Sequence, residues 1–198
     1  MYVFGYGSLL WKQGFPYEEA IPGYVKGFKR RFWQGSEDHR GEPGRPGRVV
    51  SVFESEDREE KVLGIAFRIH EDNVESVKQN LNERETGYIS VQTTFYPLHN
   101  PDGDTRIELN LFIANENVDT YLGPAPLEDI AWQIYHSHGM CGPNMEYLMK
   151  LIWCNRKLFP GNHDNHLNNL EEEVNEIAKR KGESLEKYKY ENLHWPIK

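Results

Sequence analysis

MYVFGYGSLLW, residues 1–11, is the stretch around which the rest of the chain is organised. Tyr2, Val3 and Phe4 have strand composition, Gly5-Tyr6-Gly7-Ser8 breaks the run, and Leu9, Leu10 and Trp11 resume it. Two glycines flanking one tyrosine let the backbone bend sharply and approach a neighbour closely, because neither carries a Cβ. Successive N–H groups in such a bend can form a concave nest for an anion or a developing oxyanion. The plain structural reading is a tight turn after an N-terminal strand.

Three familiar motifs are tested by the same residues. Gly5 and Gly7 fill the first two places of a dinucleotide fingerprint, but Leu10 stands where its third glycine belongs. No Walker lysine follows, and Ser8 is not in a G-x-S-x-G elbow.

The whole chain has 198 residues, enough for one well-packed domain and short for two. Apolar residues make up 38% and aromatics 13%, which suits a β-rich core or an aromatic-lined pocket and argues against disorder. A formal charge of −8 makes nucleic acid an unfavoured partner and requires a local basic patch for any anionic substrate. Cys141 and Cys154 make no disulfide framework, which fits a reducing compartment. There is no signal-peptide pattern and no apolar run of membrane-spanning length. The expected location is the cytosol, without membrane association.

Strands are expected at 2–6, 24–34, 49–54, 61–69, 88–97 and 106–114, the last two joined by the turn Pro101-Asp102-Gly103-Asp104. The basic and aromatic stretch 24–34 reads as a strand with one solvated basic face, in preference to a nucleic-acid surface. Residues 35–48 read as a long loop, rich in glycine, proline and charge, in which Arg40, Arg45 and Arg48 concentrate positive charge. The segment reads either as a solvated surface loop or as a functional one, in which Arg40 or Arg48 is the expected partner for a substrate carboxylate. Helices are expected at 72–85, capped by Asp72 and ended by Gly87, then from about 126 to 136, 144 to 158 and 163 to 181. Residues 121–126 read as a proline-stiffened loop, and 182–198 as a polar tail after a single domain of residues 1–181.

Helical geometry separates two neighbouring acids. Glu85 lies four residues beyond Leu81, about 40° around the helix, whereas Glu83 is about 200° away. Glu85 is thus expected on the apolar stripe and Glu83 in water. Partial desolvation and the negative end of the helix dipole both raise the pKa of an inward carboxylate at that place, making it a stronger base. The structural alternative for Glu85 is a salt bridge. His136, His138 and Cys141 lack a fourth ligand at a matching spacing, so no metal site is expected. His163 and His166 are expected as cap and surface residues, and Cys154 as a small core residue.

Tyr6-Gly7-Ser8-Leu9 resembles the signature of the gamma-glutamylcyclotransferases. Arg31-Phe32-Trp33-Gln34-Gly35-Ser36, Asp38-His39-Arg40-Gly41, Pro46-Gly47-Arg48-Val49-Val50, Arg84-Glu85, Phe95-Tyr96-Pro97 and Tyr121 to Ala131 narrow the likeness to the glutathione-specific, ChaC-type branch. The resemblance spans roughly residues 2–160. It implies an α+β fold, a mixed β-barrel-like sheet with surrounding helices and a cavity at its mouth. It also implies cofactor-free cleavage of reduced glutathione into 5-oxoproline and cysteinylglycine; the chain is expected to act as a monomer or weak dimer. The family's catalytic glutamate matches Glu85, and its substrate-binding turn matches Val3, Phe4, Gly5, Tyr6, Gly7, Ser8 and Leu9. A tyrosine is typical of the family where Phe112 stands, and Tyr88 is a candidate for a substitute hydroxyl. The alternatives are a cyclotransferase for other γ-glutamyl amino acids or amines, and a catalytically silent binding module.

Overall fold

The computed structural model describes residues 1–84, 88–100 and 105–190, with backbone alone at Asn82 and Arg84. In chain order its main elements are β1 (Tyr2–Gly5), β2 (Glu19–Lys26), β3 (Phe28–Ser36), β4 (Gly47–Glu54), β5 (Lys61–Arg68), α1 (Val74–Arg84), β6 (Tyr88–Pro97), β7 (Ile107–Ala114), α2 (Leu127–His136), α3 (Asn144–Leu158) and α4 (Asn165–Lys181). They fall into two compact units, Met1–Lys29 with Val52–Asn115, and Arg30–Ser51 with Glu116–Leu193.

The first unit is built on a closed five-stranded barrel in the order β1, β5, β2, β6, β7. Neighbours run antiparallel except at the closing seam, where β1 meets β7 in parallel with Val3 opposite Asn110. The fold is therefore α+β with a mixed barrel, as the family likeness implies. Phe4, Val25, Ile65, Ala66, Phe67, Phe95 and Leu111 are fully buried in it. This continuous apolar lining accounts for the closure, since a barrel leaves no unpaired edge around a core.

The expected single strand over 24–34 is two strands. Gly27 adopts φ +76°, a left-handed conformation open to glycine, and ends β2 before β3 begins. The solvated basic face holds in part: Lys26, Lys29 and Arg31 are half-buried, Lys26 pairing with Glu59 at 2.6 Å, whereas Arg30 is 2% exposed and points inward to Asn155 and Asp164 at 2.7 and 3.1 Å. In α1, Val77 and Leu81 are buried and Glu83 is exposed, as the periodicity predicts. The cap differs. A single 3-10 turn, Glu71–Asn73, precedes α1, and His70 Nδ1 accepts the Asp72 N–H at 3.3 Å in place of an Asp72 cap. Gly87 and the turn at residues 101–104 lie outside the described residues.

The second unit holds most of the β3–β4 pair and α2, α3 and α4. β3 and β4 extend to Ser36 and from Gly47, so the irregular segment is shorter than expected, and a Glu42–Arg45 bridge tightens it further. α2 and α3 occupy the expected spans. α4 starts two residues later than expected: Asp164 caps it by accepting the Leu167 N–H at 3.1 Å. Leu167, Leu170 and Val174 are buried on one stripe of α4, and Gly182 ends it at φ +68°. His166 departs from the surface reading. Its Nε2 accepts the Phe32 N–H at 3.2 Å, and burial followed by the Arg31 charge lowers its pKa to about 4. Cys154 is a fully buried core residue whose thiol burial pushes up to about 12.

Candidate functional site

The turn after β1 is built by local bonds to its own carbonyls. The Gly7 carbonyl accepts from Leu10 N at 3.0 Å, the Ser8 carbonyl from Trp11 N and Lys12 N at 3.1 and 2.8 Å, and the Leu9 carbonyl from Gln13 Nε2 at 2.9 Å. Ser8–Leu10 thereby form one turn of 3-10 helix, whose opening N–H groups have no partner within the helix. Among the described residues, the Gly7 and Leu9 N–H groups donate to no other group. A bend with two such donors can hold an oxyanion.

Packing and one hydrogen bond hold this turn within the first unit. A Cβ on Gly5 would stand 2.8 Å from Phe67 Cε2 and 2.9 Å from Leu9 Cβ, so only glycine fits there. The Tyr6 hydroxyl donates to the carbonyl of Phe112 at 2.8 Å, anchoring the turn to β7. Val3 and Phe4 are 0% exposed, so what this end of β1 can offer a ligand is main chain and not side chain. Leu9 and Tyr6 are also buried, and Ser8 is half-buried.

Tyr88 and Phe112 share one face of the β6–β7 pair. Tyr88 stands opposite Ala114, and Phe112 opposite Ser90, which makes the two rings diagonal neighbours. Both are half-buried. A hydroxyl at position 88 is thus on the same surface as the ring at 112.

Glu85 lies outside the described residues. What is described is its approach: α1 carries Val77 and Leu81 inward and Glu83 outward up to Arg84.

Arg40 and Arg48 belong to the second unit, and both are engaged within it. Arg48 is 6% exposed; its Nε donates to Gln133 Oε1 at 2.7 Å and its Nη1 to the carbonyls of Phe32 and Gly123 at 2.9 and 3.2 Å. Burial holds its pKa below the ordinary arginine value, against the opposing charge of Asp129. Arg40 Nη1 donates to the Pro143 carbonyl at 3.0 Å and lies 3.5 Å from Glu146 Oε2, with the guanidinium over the Tyr147 ring. Burial alone would raise the Glu146 carboxyl, but Lys150 and then Arg40 bring it below its usual value. These bonds account for both buried cations without a ligand.

His136 Nδ1 lies 2.8 Å from the Trp132 carbonyl, and His138 and Cys141 are exposed. Among the described residues, no cluster of His, Cys, Asp and Glu is placed to hold a metal ion. A cavity of about 390 Å³ in the second unit, lined by Asn155, Asp164, His163 and Glu171 among others, contains none of the expected site residues.

Sequence reasoning missed Gly23 and Gly64, which face each other across β2 and β5. A Cβ on Gly64 would stand 2.4 Å from Phe4 Cζ and 2.5 Å from the Gly5 carbonyl oxygen. The signal was a lone glycine inside an apolar strand, which marks close approach of another backbone.

Comparison with known proteins gives one consistent answer. The family model described as ChaC-like protein matches residues 1–177. The chain is similar to the mouse protein named glutathione-specific gamma-glutamylcyclotransferase 1, with 41% identity over 170 residues, covering 84% of this chain and 74% of that protein. It is 40% identical to Arabidopsis thaliana gamma-glutamylcyclotransferase 2-3, covering 89% of each. Among solved structures, a yeast gamma-glutamylcyclotransferase described as specific to glutathione superposes with a TM-score of 0.80 at 26% identity, covering 98% of this chain and 99% of that one.

Proposed function

We propose, from the premise that this chain belongs to the ChaC-like family, that it cleaves reduced glutathione into 5-oxoproline and cysteinylglycine. The observation that carries this reading is the glycine-flanked turn after β1, with the Gly7 and Leu9 N–H groups directed to no protein acceptor among the described residues.

The reaction is an intramolecular cyclisation. The α-amino nitrogen of the γ-glutamyl unit attacks its own γ-carbonyl carbon and closes a five-membered ring. The bond from that carbon to the cysteinyl nitrogen then breaks, and that nitrogen takes up a proton. Tethering of nucleophile and electrophile supplies effective molarities of up to ~10⁵–10⁸ M in well-oriented cases. No nucleophilic side chain is needed.

Two tasks fall to the protein. Glu85 removes the proton that leaves the ammonium and returns one to the departing amide nitrogen. That role rests on helical spacing, and the spacing is met up to Glu83: Val77 and Leu81 are buried and Glu83 is exposed. The turn supplies the second function. N–H groups at Gly7 and Leu9 stabilise the oxyanion that develops on the γ-carbonyl oxygen, a contribution worth ~10²–10³ in rate per donor in other enzymes. Tyr88 offers a hydroxyl on the face where Phe112 has none.

The requirement for a free α-amine selects γ-glutamyl compounds over ordinary peptides. We place the protein in the cytosol as a monomer or weak dimer. Two free cysteines support the reducing compartment, and no helix among the described residues is long and apolar enough to cross a membrane. Purified protein incubated with glutathione or with γ-glutamyl-alanine, with 5-oxoproline quantified, tests the reading. Product from glutathione alone is expected. Product mainly from the dipeptide moves the assignment to a broader cyclotransferase, and no product from either overturns it.

A further inference from the structure

The turn that carries the proposed oxyanion donors is preceded by Gly5, and the Gly5 carbonyl rests on β5. Its seat is Gly64. A Cβ built on Gly64 would meet the Phe4 ring at 2.4 and 2.6 Å and the Gly5 carbonyl oxygen at 2.5 Å, where ordinary contact begins at 3.4 Å. Opposite Gly64 across the ladder stands Gly23, whose Cβ would meet the Phe95 ring at 2.3 Å and the Tyr96 carbonyl oxygen at 2.3 Å. The two glycines thus clear space for two rings, and Phe4 and Phe95 fill it edge-on at 5.8 Å. The pair is alike in chemistry and unlike in consequence: Gly64 touches the strand end that leads into the turn, and Gly23 does not.

We propose that Gly64 is a positioning residue for the reaction: by having no side chain it lets the Gly5 carbonyl settle on β5, and so sets where the Gly7 and Leu9 N–H groups stand. The turn has little freedom to absorb a shift at its start. Gly5 is hemmed by Phe67 and Leu9, and Tyr6 is tied to the Phe112 carbonyl. A methyl group at position 64 drives the Gly5 carbonyl back by about 0.9 Å before contact becomes ordinary. Misplacement of catalytic groups by ~1 Å can cost ~10²-fold in rate. Because the donors act on charge that exists only in the transition state, the loss belongs in kcat and not in KM.

This inference rests on the turn being the oxyanion-stabilising element, and the experiment separates the two. Gly64→Ala and Gly23→Ala are compared with the parent chain for kcat and KM on glutathione, and for the amide chemical shifts of Gly7 to Leu10 in ¹⁵N-labelled protein. Gly64→Ala is expected to lower kcat at least tenfold with KM within threefold, and to displace the turn amides. Gly23→Ala, an equal overpacking that does not touch the turn, is expected to leave both near the parent values. Should Gly64→Ala not fold, Phe4→Leu/Gly64→Ala is measured against Phe4→Leu alone; it relieves the ring clash and keeps the carbonyl clash, so the tenfold difference persists. Equal losses in the Gly64 and Gly23 variants, or unmoved turn amides in Gly64→Ala, overturn the assignment. An inactive parent chain defeats the proposed reaction, and the amide shifts still decide the role of Gly64.

Discussion

Asn144 and Arg48 grip one another through a two-way bond. The Arg48 N–H donates to Asn144 Oδ1 at 2.6 Å, and Asn144 Nδ2 donates back to the Arg48 carbonyl at 2.8 Å. Asn144 is 0% exposed, so this side chain completes an edge of β4 where water cannot. Asn144→Asp keeps the acceptor and removes the donor, setting a carboxylate oxygen against the Arg48 carbonyl. A drop of about 2–4 kcal/mol in denaturant unfolding is expected. A change within 0.5 kcal/mol would falsify the reading of this pair.

Arg48 itself is expected to act on stability and not on substrate affinity. Its guanidinium satisfies Gln133 Oε1 and the carbonyls of Phe32 and Gly123. Arg48→Ala strands these acceptors, for a cost of about 3 kcal/mol, while KM for glutathione measured on the folded fraction stays within threefold. A large rise in KM at unchanged melting temperature would support the substrate-carboxylate role expected from the sequence.

His166 makes stability depend on pH. Its folded pKa of about 4 lies below the unfolded value of about 6.5, so the unfolded chain binds the extra proton first between those limits. Stability is therefore full above about pH 6.5 and falls as the pH drops toward 4, by at most about 3 kcal/mol from this residue. Asp164, Arg30 and Arg31 share its surroundings and oppose one another. His166→Gln keeps an acceptor for the Phe32 N–H and cannot titrate. Its thermal midpoint is expected to fall less steeply than the parent's over that range, and parallel profiles would refute the assignment.

Glu83 and Glu85 are expected to behave oppositely. Glu83 is exposed and lies beside Gln79 at 3.1 Å, so Glu83→Gln is expected to retain kcat within twofold. Glu85→Gln removes the proposed base and is expected to lower kcat by at least ~10²-fold. Rates of 5-oxoproline formation at fixed folded protein compare them, and an active Glu85→Gln removes that residue from the mechanism.

Tyr88→Phe tests whether β6 supplies the hydroxyl that position 112 lacks. If that hydroxyl holds the substrate, its removal is expected to raise KM about tenfold, the equivalent of roughly 1.4 kcal/mol. If KM is unchanged, the half-buried ring serves packing alone.

The legible parts of the sequence were those governed by local spacing. Leu167, Leu170, Val174 and Ile177 recur at helical intervals, and α4 buries that stripe. Gly5-Tyr6-Gly7 marked a bend, and the bend is there. The strand break at Gly27 was hidden because aromatic and basic residues continue on both sides of it. The seats of Arg40 and Arg48 were hidden for a different reason: most of their hydrogen-bond acceptors are main-chain carbonyls, which leave no mark in a sequence, and apart from the Phe32 carbonyl their partners lie 75 or more positions away. His166 was misread because the acceptor role it fills is set by a strand 134 positions earlier.

The parallel seam of β1 with β7 has a consequence for how the molecule comes into being. Val3 cannot find Asn110 until more than half the chain has left the ribosome, and its other neighbour, β5, is some sixty residues downstream. Pairings of such sequence separation are slow to form. Competence for turnover should therefore arise late in refolding, trailing the helical signal of α2, α3 and α4, and a nascent chain cut before β7 should be inert even with its opening eleven residues intact.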